Sequence, residues 1–251
     1  MRKGIKRLIV TIIVLVLVVT IAFSSVFVLA KTKKIFINKW FVNEKNSTIG
    51  VDVSSYQADI DMNKLKEQNI AFIYIKATEG SNTQDDRFAE NWKNAEKAGL
   101  LSGAYHFFSY DSDGKTQAEN FIKTVGTNLK GRLLPAVDVE YYGDKEKNPP
   151  EKEVVIRELK SYLDTIEAAY GVKPLLYTRA DIEKKYLQGE FDEYKRWMSS
   201  LYSPLGWNYK GDWYLWQYYN RGKLEGYTGG EPYIDMNVLN KDKSLDDLIV
   251  K

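Results

Sequence analysis

Apolar and polar positions alternate along this chain in two rhythms. From Leu8 to Ala30 almost every residue is apolar, interrupted only by Thr11, Thr20, Ser24 and Ser25. No face of that segment is polar, so it is not an ordinary amphipathic helix. Its length suits a helix spanning ~30 Å of hydrocarbon. Arg2, Lys3, Lys6 and Arg7 precede it, which predicts a single-pass span with residues 1–7 in the cytoplasm and the rest outside the cell. A cleaved signal peptide ending at Val28-Leu29-Ala30 is the alternative, although its apolar region would exceed the usual ~7–15 residues. Residues 31–48 are rich in Lys and Asn and read as a juxtamembrane stalk.

From residue 49 onward short apolar runs alternate with amphipathic ones. Strands are expected at 49–54, 71–79, 101–108, 133–140, 174–178, 196–200, 213–219 and 233–239. Helices are expected at 61–69, 87–98, 116–125, 150–170 and 179–186. Asp61 is placed to cap the first of these, and Gly99, Gly126 and Gly171 follow the ends of three others. Strands separated by helices imply a parallel sheet. Eight in about 200 residues imply an α/β fold of the TIM-like (β/α) barrel kind, occupying 49–251 as one domain. Little helix separates the last three strands, so an irregular end to the barrel is expected. A doubly wound open sheet is the rival, but Ser54-Ser55-Tyr56-Gln57 after the first strand holds none of the glycines such sheets use there.

Three of these strands carry acids: Gly50-Val51-Asp52-Val53-Ser54, Ala136-Val137-Asp138-Val139-Glu140 and Tyr233-Ile234-Asp235-Met236-Asn237. Residues two apart in a strand share a face. Asp138 and Glu140 therefore point together toward the barrel axis, and Val137 and Val139 point toward the helices. Catalytic groups of parallel barrels sit at the C-terminal strand ends. Clustered, partly buried carboxylates raise one another's pKa, which separates a proton donor from a charged partner. Glycoside hydrolysis needs that division of labour. Surface acids at strand ends are the bland alternative, and a magnesium or calcium site is another. No phosphate-cradling glycine loop or EF-hand loop is present.

Composition narrows the field further. There is no Cys and one His, His106. Disulfides and thiolate chemistry are excluded, and a zinc hydrolase, which usually needs two or three imidazoles, is disfavoured. No cofactor is expected. The net charge of +2 is uneven. Setting aside the nine basic residues and one Glu of positions 1–49 leaves 27 basic and 33 acidic residues, a net of −6. Such a domain is a poor nucleic-acid binder. The chain is rich in aromatics, with 18 Tyr and 6 Trp. Tyr105, Trp216 and Tyr218 are candidates for a sugar-stacking platform or for barrel core. Lys76, on an apolar strand, is expected to pair with one of the barrel acids.

With these residues in view, 49–240 resembles glycoside hydrolase family 25, the Chalaropsis-type lysozymes. Gly50-Val51-Asp52-Val53-Ser54 is similar to the family's opening strand. Lys76-Ala77-Thr78-Glu79-Gly80 and Gly103-Ala104-Tyr105-His106-Phe107 resemble its second and third, followed by Gln117-Ala118. Asp138-Val139-Glu140 resembles its catalytic pair, and Trp216-Gln217-Tyr218 and Asp235-Met236-Asn237 its last two strands. Arg196-Trp197-Met198-Ser199-Ser200 matches loosely. The resemblance implies five β/α units followed by extra strands. It also implies cleavage of the β-1,4 bond between N-acetylmuramic acid and N-acetylglucosamine in peptidoglycan. Glu140 would be the general acid. Asp138 would orient the substrate's acetamido group or stabilise positive charge, with Asp52 and Asp235 lining the site. Lys76 joins the aromatic candidates as a substrate-side residue. Substrate assistance and inversion both remain open. The expected partners are peptidoglycan glycan strands and, through the N-terminal helix, the membrane, with the protein a monomer. A non-catalytic glycan-binding module on the same anchor is the competing function.

Overall fold

The computed structural model describes residues 3–251; of the basic tail, Met1 and Arg2 lie outside the described residues. Helix α1 (Lys3–Lys31) carries the apolar run and is exposed along nearly its whole length. It is the one helix among the described residues long and apolar enough to cross a membrane.

The rest folds around one sheet. Its strands are β1 (Ile49–Val53), β2 (Ile70–Glu79), the short β3 (Thr83–Gln84), β4 (Leu101–Phe107), β5 (Ala136–Val139), β6 (Leu175–Arg179), β7 (Arg196–Ser199), β8 (Leu215–Gly222) and β9 (Ile234–Leu239). The order β1-β9-β8-β7-β6-β5-β4-β2 closes through a parallel β1–β2 pairing, giving an eight-stranded barrel. β3 folds back antiparallel on the end of β2. All barrel strands match their sequence-expected positions, the fourth being shorter than expected at its start.

The irregular end has a specific form. β9 runs antiparallel to both β8 and β1. Only residues 223–233 join β8 to β9, and a parallel return needs a crossover of a dozen or more residues, usually helical. Reversal places the start of β9 at the same barrel end as the finish of β1, so Asp235 pairs across from Asp52.

The helices α2 (Met62–Glu67), α3 (Phe88–Lys97), α4 (Gly114–Val125) and α5 (Lys152–Tyr170) surround the barrel, and α6 (Ala180–Ile182) runs on into a π-turn at Glu183–Leu187. Asp61 caps α2 by accepting from the backbone N–H groups of Asn63 and Lys64. α4 starts two residues earlier than expected because Asp113 accepts from Thr116 N–H at 2.9 Å. Gly114 lets α4 approach α5 closely, since a Cβ there would overlap the carbonyl of Glu158.

Two cores result from the period-two alternation of the strands. An outer core between sheet and helices holds Val51, Val53, Val137, Val139, Leu163 and Trp216. An inner core fills the barrel floor with Phe72, Tyr74, Leu133, Ala136, Leu175, Trp197, Leu215 and Leu239. Gly50 and Gly103 make room there, because a Cβ on either would overlap the ring of Phe72 or Tyr74. The C-terminal segment plugs this end: Leu134 N–H donates to the Leu248 carbonyl at 2.7 Å, and Val250 N–H to that of Arg132 at 2.8 Å.

Residues 31–48, read from composition as a juxtamembrane stalk, pack on the barrel. Ile37 and Asn38 are buried, and Asn38 Nδ2 donates to the carbonyls of Ser200 (2.6 Å) and Tyr218 (2.9 Å). Phe36 stacks on Tyr202, with ring centroids 4.5 Å apart. Through its two hydrogen bonds the Asn38 amide ties the segment to the barrel surface.

Candidate functional site

The mouth of the barrel is a cleft of about 810 Å³ lined by Asp52, Asp138, Glu140 and Asp235, together with Lys76, Tyr105, Phe107, Tyr177, Arg179 and Gln217. That volume lies within the range of small-ligand sites. The four acids expected from sequence converge here. The reason is parity: Asp138 and Glu140 share the inward face at the end of β5, and Asp52 and Asp235 are cross-strand partners.

Burial decides their electrostatics. Desolvation, the largest influence on each, raises all four. Glu140 is pushed up to about 7, with the Asp52 charge adding to the rise, while Arg179 and Lys76 pull against it. Asp138 lies well above the usual carboxylate range, helped by Glu140 and Asp52. Asp235 is raised well above that range as well, by burial and then by Asp52 and Glu140. Asp52 is raised less freely, because two amides donate to it and favour its charged form.

Those amides are fixed by their own partners. Asn237 Nδ2 donates to Asp52 Oδ2 at 2.7 Å, and Gln217 Nε2 donates to the same oxygen at 3.0 Å. Trp197 Nε1, which can only donate, reaches Asn237 Oδ1 at 2.7 Å. The Tyr177 and Ser199 hydroxyls lie 2.9 and 3.1 Å from Gln217 Oε1. Each amide therefore presents its NH2 to Asp52. Asp138 contrasts with this, since its Oδ1 is buried without a partner. Asn220 Oδ1, also on the cleft, is likewise unpartnered.

Three sequence expectations need correction. Trp216 and Tyr218 do not face the cleft. Inward parity on β8 belongs to Gln217, so its neighbours point into the outer core. There Trp216 Nε1 donates to the Ser200 carbonyl at 3.0 Å and the Tyr218 hydroxyl to Glu44 at 2.8 Å. Lys76 does reach the cleft, but its ion pair is with Glu79 at 2.7 Å rather than with a barrel acid. A pair at the end of one strand satisfies the ammonium while its field still reaches Asp138 and Glu140. Tyr105 lines the cleft as expected from its position on β4.

His106 is fully buried away from the cleft. Gln117 Oε1 accepts from Ser109 N–H at 2.7 Å, so it also accepts from His106 Nε2 at 3.1 Å. His106 Nδ1 then accepts from the Thr78 hydroxyl at 2.7 Å. Burial lowers its pKa to about 4, leaving a neutral structural histidine.

Sequence reasoning missed Tyr56, Phe107, Tyr177, Arg179, Gln217 and Tyr233 in the cleft wall. Carrying the inward parity of Asp138 across the parallel register to Tyr177 would have found one of them. Tyr56 is 74% exposed at the rim, an open aromatic face beside the acids. Among the described residues no group of His, Cys, Asp or Glu side chains has the arrangement of a metal site.

Comparison with known proteins points to one family. The model of the glycosyl hydrolases family 25 matches residues 51–227. YegX, an uncharacterized protein of Escherichia coli, is 33% identical over 196 residues, which is 76% of this chain and 69% of that protein. Lysozyme M1 of Streptomyces globisporus is 44% identical over a shorter stretch of 95 residues, 37% of this chain and 32% of its own. Among solved structures, a family 25 glycosyl hydrolase from Bacillus anthracis superposes with a TM-score of 0.72 at 44% identity, covering 80% of this chain and 94% of its own. A lysozyme from Streptomyces coelicolor gives 0.68 at 27% identity, covering 81% and 95%.

Proposed function

The chain belongs to glycoside hydrolase family 25 and acts on peptidoglycan, and from that premise we propose that it is a muramidase with Glu140 as general acid. The bond cut is the β-1,4 link from N-acetylmuramic acid to N-acetylglucosamine. The observation that carries this reading is the elevated pKa of Glu140, about 7, in a cleft of further acids. At neutral pH a large fraction of Glu140 still holds its proton, as a donor to the leaving oxygen must.

The steps follow from the neighbours. Glu140 protonates the glycosidic oxygen as the bond to the muramic acid C1 breaks. Positive charge grows on that sugar ring and is stabilised by Asp52, whose charged form the two amides favour. A water then bonds to C1, its proton passing to an ionised carboxylate of the cleft, which leaves a reducing muramic acid end. The unpartnered Asp138 Oδ1 accepts the N–H of the 2-acetamido group and fixes the ring's orientation. Asp52, held by Gln217 and Asn237, and Asp235 complete the acidic wall. Tyr56 and Tyr105 supply faces against which sugar rings stack. Lys76 acts by its field.

We also infer that α1 is an uncleaved anchor, with its basic end inside and residues 31–251 outside the cell. Four basic residues before the span and none within it support this orientation.

Peptidoglycan digested by the full-length protein in detergent, wild type beside Glu140→Gln, tests the assignment. Reduction and mass spectrometry of the products read the bond. Muropeptides ending in reduced muramic acid, lost in the variant, are expected. Products ending in reduced glucosamine would overturn the bond, and a fully active variant would overturn the acid.

A further inference from the structure

At the outer end of α1 the molecule carries aromatic rings that no part of the fold covers. Trp40 is 70% exposed, Phe41 58% and Trp207 40%. Phe41 and Trp207 lie together with the helix end, Phe27 and Trp207 having ring centroids 5.2 Å apart and Phe41 and Trp207 6.3 Å, and Trp40 adjoins Phe41 in the chain. Lys31, Lys33, Lys34 and Lys39 precede Trp40 and Phe41 in sequence.

Helix geometry gives the depth of this cluster. Arg7 is the last charge before the span. Phe27 stands 19 residues beyond Leu8, or about 28 Å along the axis at about 1.5 Å per residue. A hydrocarbon core of about 30 Å thus ends close to Phe27. Trp207, in contact with that ring, falls in the headgroup layer, where Trp is enriched in membrane proteins.

The same end of the barrel holds the cleft. Arg179, Ser199 and Leu201 line the cleft and also a crevice bordered by Ala30, Lys31, Lys33 and Trp207. The floor plug at Leu248 and Val250 belongs to the opposite end. Residues 31–48 are packed onto the barrel rather than free, so the helix exit and the cleft are held as neighbours.

We propose that Trp40, Phe41 and Trp207 form a collar that seats the domain on the outer face of the lipid bilayer. This rests on the reading of α1 as a retained anchor. The occupant of the face is the headgroup layer itself, reached by continuity with the span and matched by the flanking lysines, which favour anionic lipid. Seated this way, the cleft opens beside the membrane. The enzyme then works on glycan within reach of the bilayer surface, the innermost material of the wall, and not on distant layers.

The test uses the full chain in vesicles of phosphatidylethanolamine and phosphatidylglycerol, with part of the lipid brominated near the headgroup. α1 contains no tryptophan, so quenching of indole emission reports the domain alone. Bromolipid is expected to quench part of the wild-type emission, and Trp40→Phe with Trp207→Phe is expected to abolish that part. Both rings are solvent-facing, and an unchanged melting curve verifies that the variant is folded. Flotation with the vesicles is read in parallel. Protein that floats but shows no quenching overturns the collar while leaving the anchor intact. Protein that does not float overturns the anchor on which it rests. The chain has no Cys, so a dimer captured through Trp207→Cys, with unquenched emission, would give the face to a second copy and also overturn the proposal.

Discussion

The two ends of the barrel interior are built by the same strands on the same inward face, yet they are chemically opposite. Toward the floor, β1, β2, β4, β5 and β6 present Gly50, Phe72 and Tyr74, Gly103, Ala136 and Leu175. Toward the mouth the same strands present Asp52, Lys76, Tyr105, Asp138 and Tyr177. One or two pleats separate a dry, filled core from a cluster of acids. Closed packing at the floor lets the mouth be charged. It holds the strand ends rigid and keeps water from entering from below, so the carboxylates keep their elevated pKa values. Function here is set by height along a strand, once parity has chosen the face.

The largest effect expected from breaking this contrast is at the mouth. Glu140→Gln should lower kcat by roughly 10²–10⁴-fold, the usual contribution of a positioned general acid. The same change should raise stability. Glu140 has a normal pKa of 4.5 and a folded one of about 7. Between those values the folded state holds the extra proton, so stability falls as pH rises through the window and the loss is complete above about 7. A neutral amide removes that loss, and thermal melting at pH 8 should show the variant more stable by about 1–3 kcal/mol. Wild-type hydrolysis should accordingly fade as pH climbs past about 7 while the fold persists. An activity that stays flat to pH 9 would remove Glu140 from the acid's role.

At the floor the signs reverse. Phe72→Ala should cost about 3–5 kcal/mol of stability, as large-to-small changes in full cores do. Residual activity per folded molecule should stay near wild type. Gly50→Ala sharpens the point, because its added methyl meets the Phe72 ring. Overpacking of this kind costs about 1–3 kcal/mol. The double change Gly50→Ala with Phe72→Leu should recover much of the loss, measured by urea unfolding. A merely additive pair would mean that the glycine serves something other than room for the ring.

Much of this division is legible in the chain. The eight barrel strands stand out because apolar runs are bounded by Gly, Pro and charged turns, and Asp-x-Glu betrays the inward face of β5 at once. Two kinds of information are missing from local pattern. Direction is one: nothing in Tyr233-Ile234-Asp235 states that β9 runs backward, and only the shortness of residues 223–233 forces it. Long-range pairing is the other. Asn38 reads as a stalk residue, yet it bonds to carbonyls 162 and 180 residues away. Trp216-Gln217-Tyr218 combines both problems. Either parity puts plausible side chains inward, and the choice comes from the register with β7, where Gln217 pairs with the inward Ser199.

That strand supplies the smallest expected effect and a direct check on which side of the wall an aromatic belongs. Tyr218 is fully buried in the outer core, and its hydroxyl donates to Glu44 of the segment that follows α1. Tyr218→Phe keeps the ring and deletes that bond, so it should cost about 0.5–1.5 kcal/mol of stability. Activity on peptidoglycan fragments should not change, because neither ring nor hydroxyl reaches the cleft. Tyr105→Leu provides the contrast from the inward side, where KM should rise with little change in kcat if the ring only binds sugar. Should Tyr218→Phe weaken substrate binding as much as Tyr105→Leu does, the inward parity on β8 would be wrong and the aromatic platform would have to be redrawn around it.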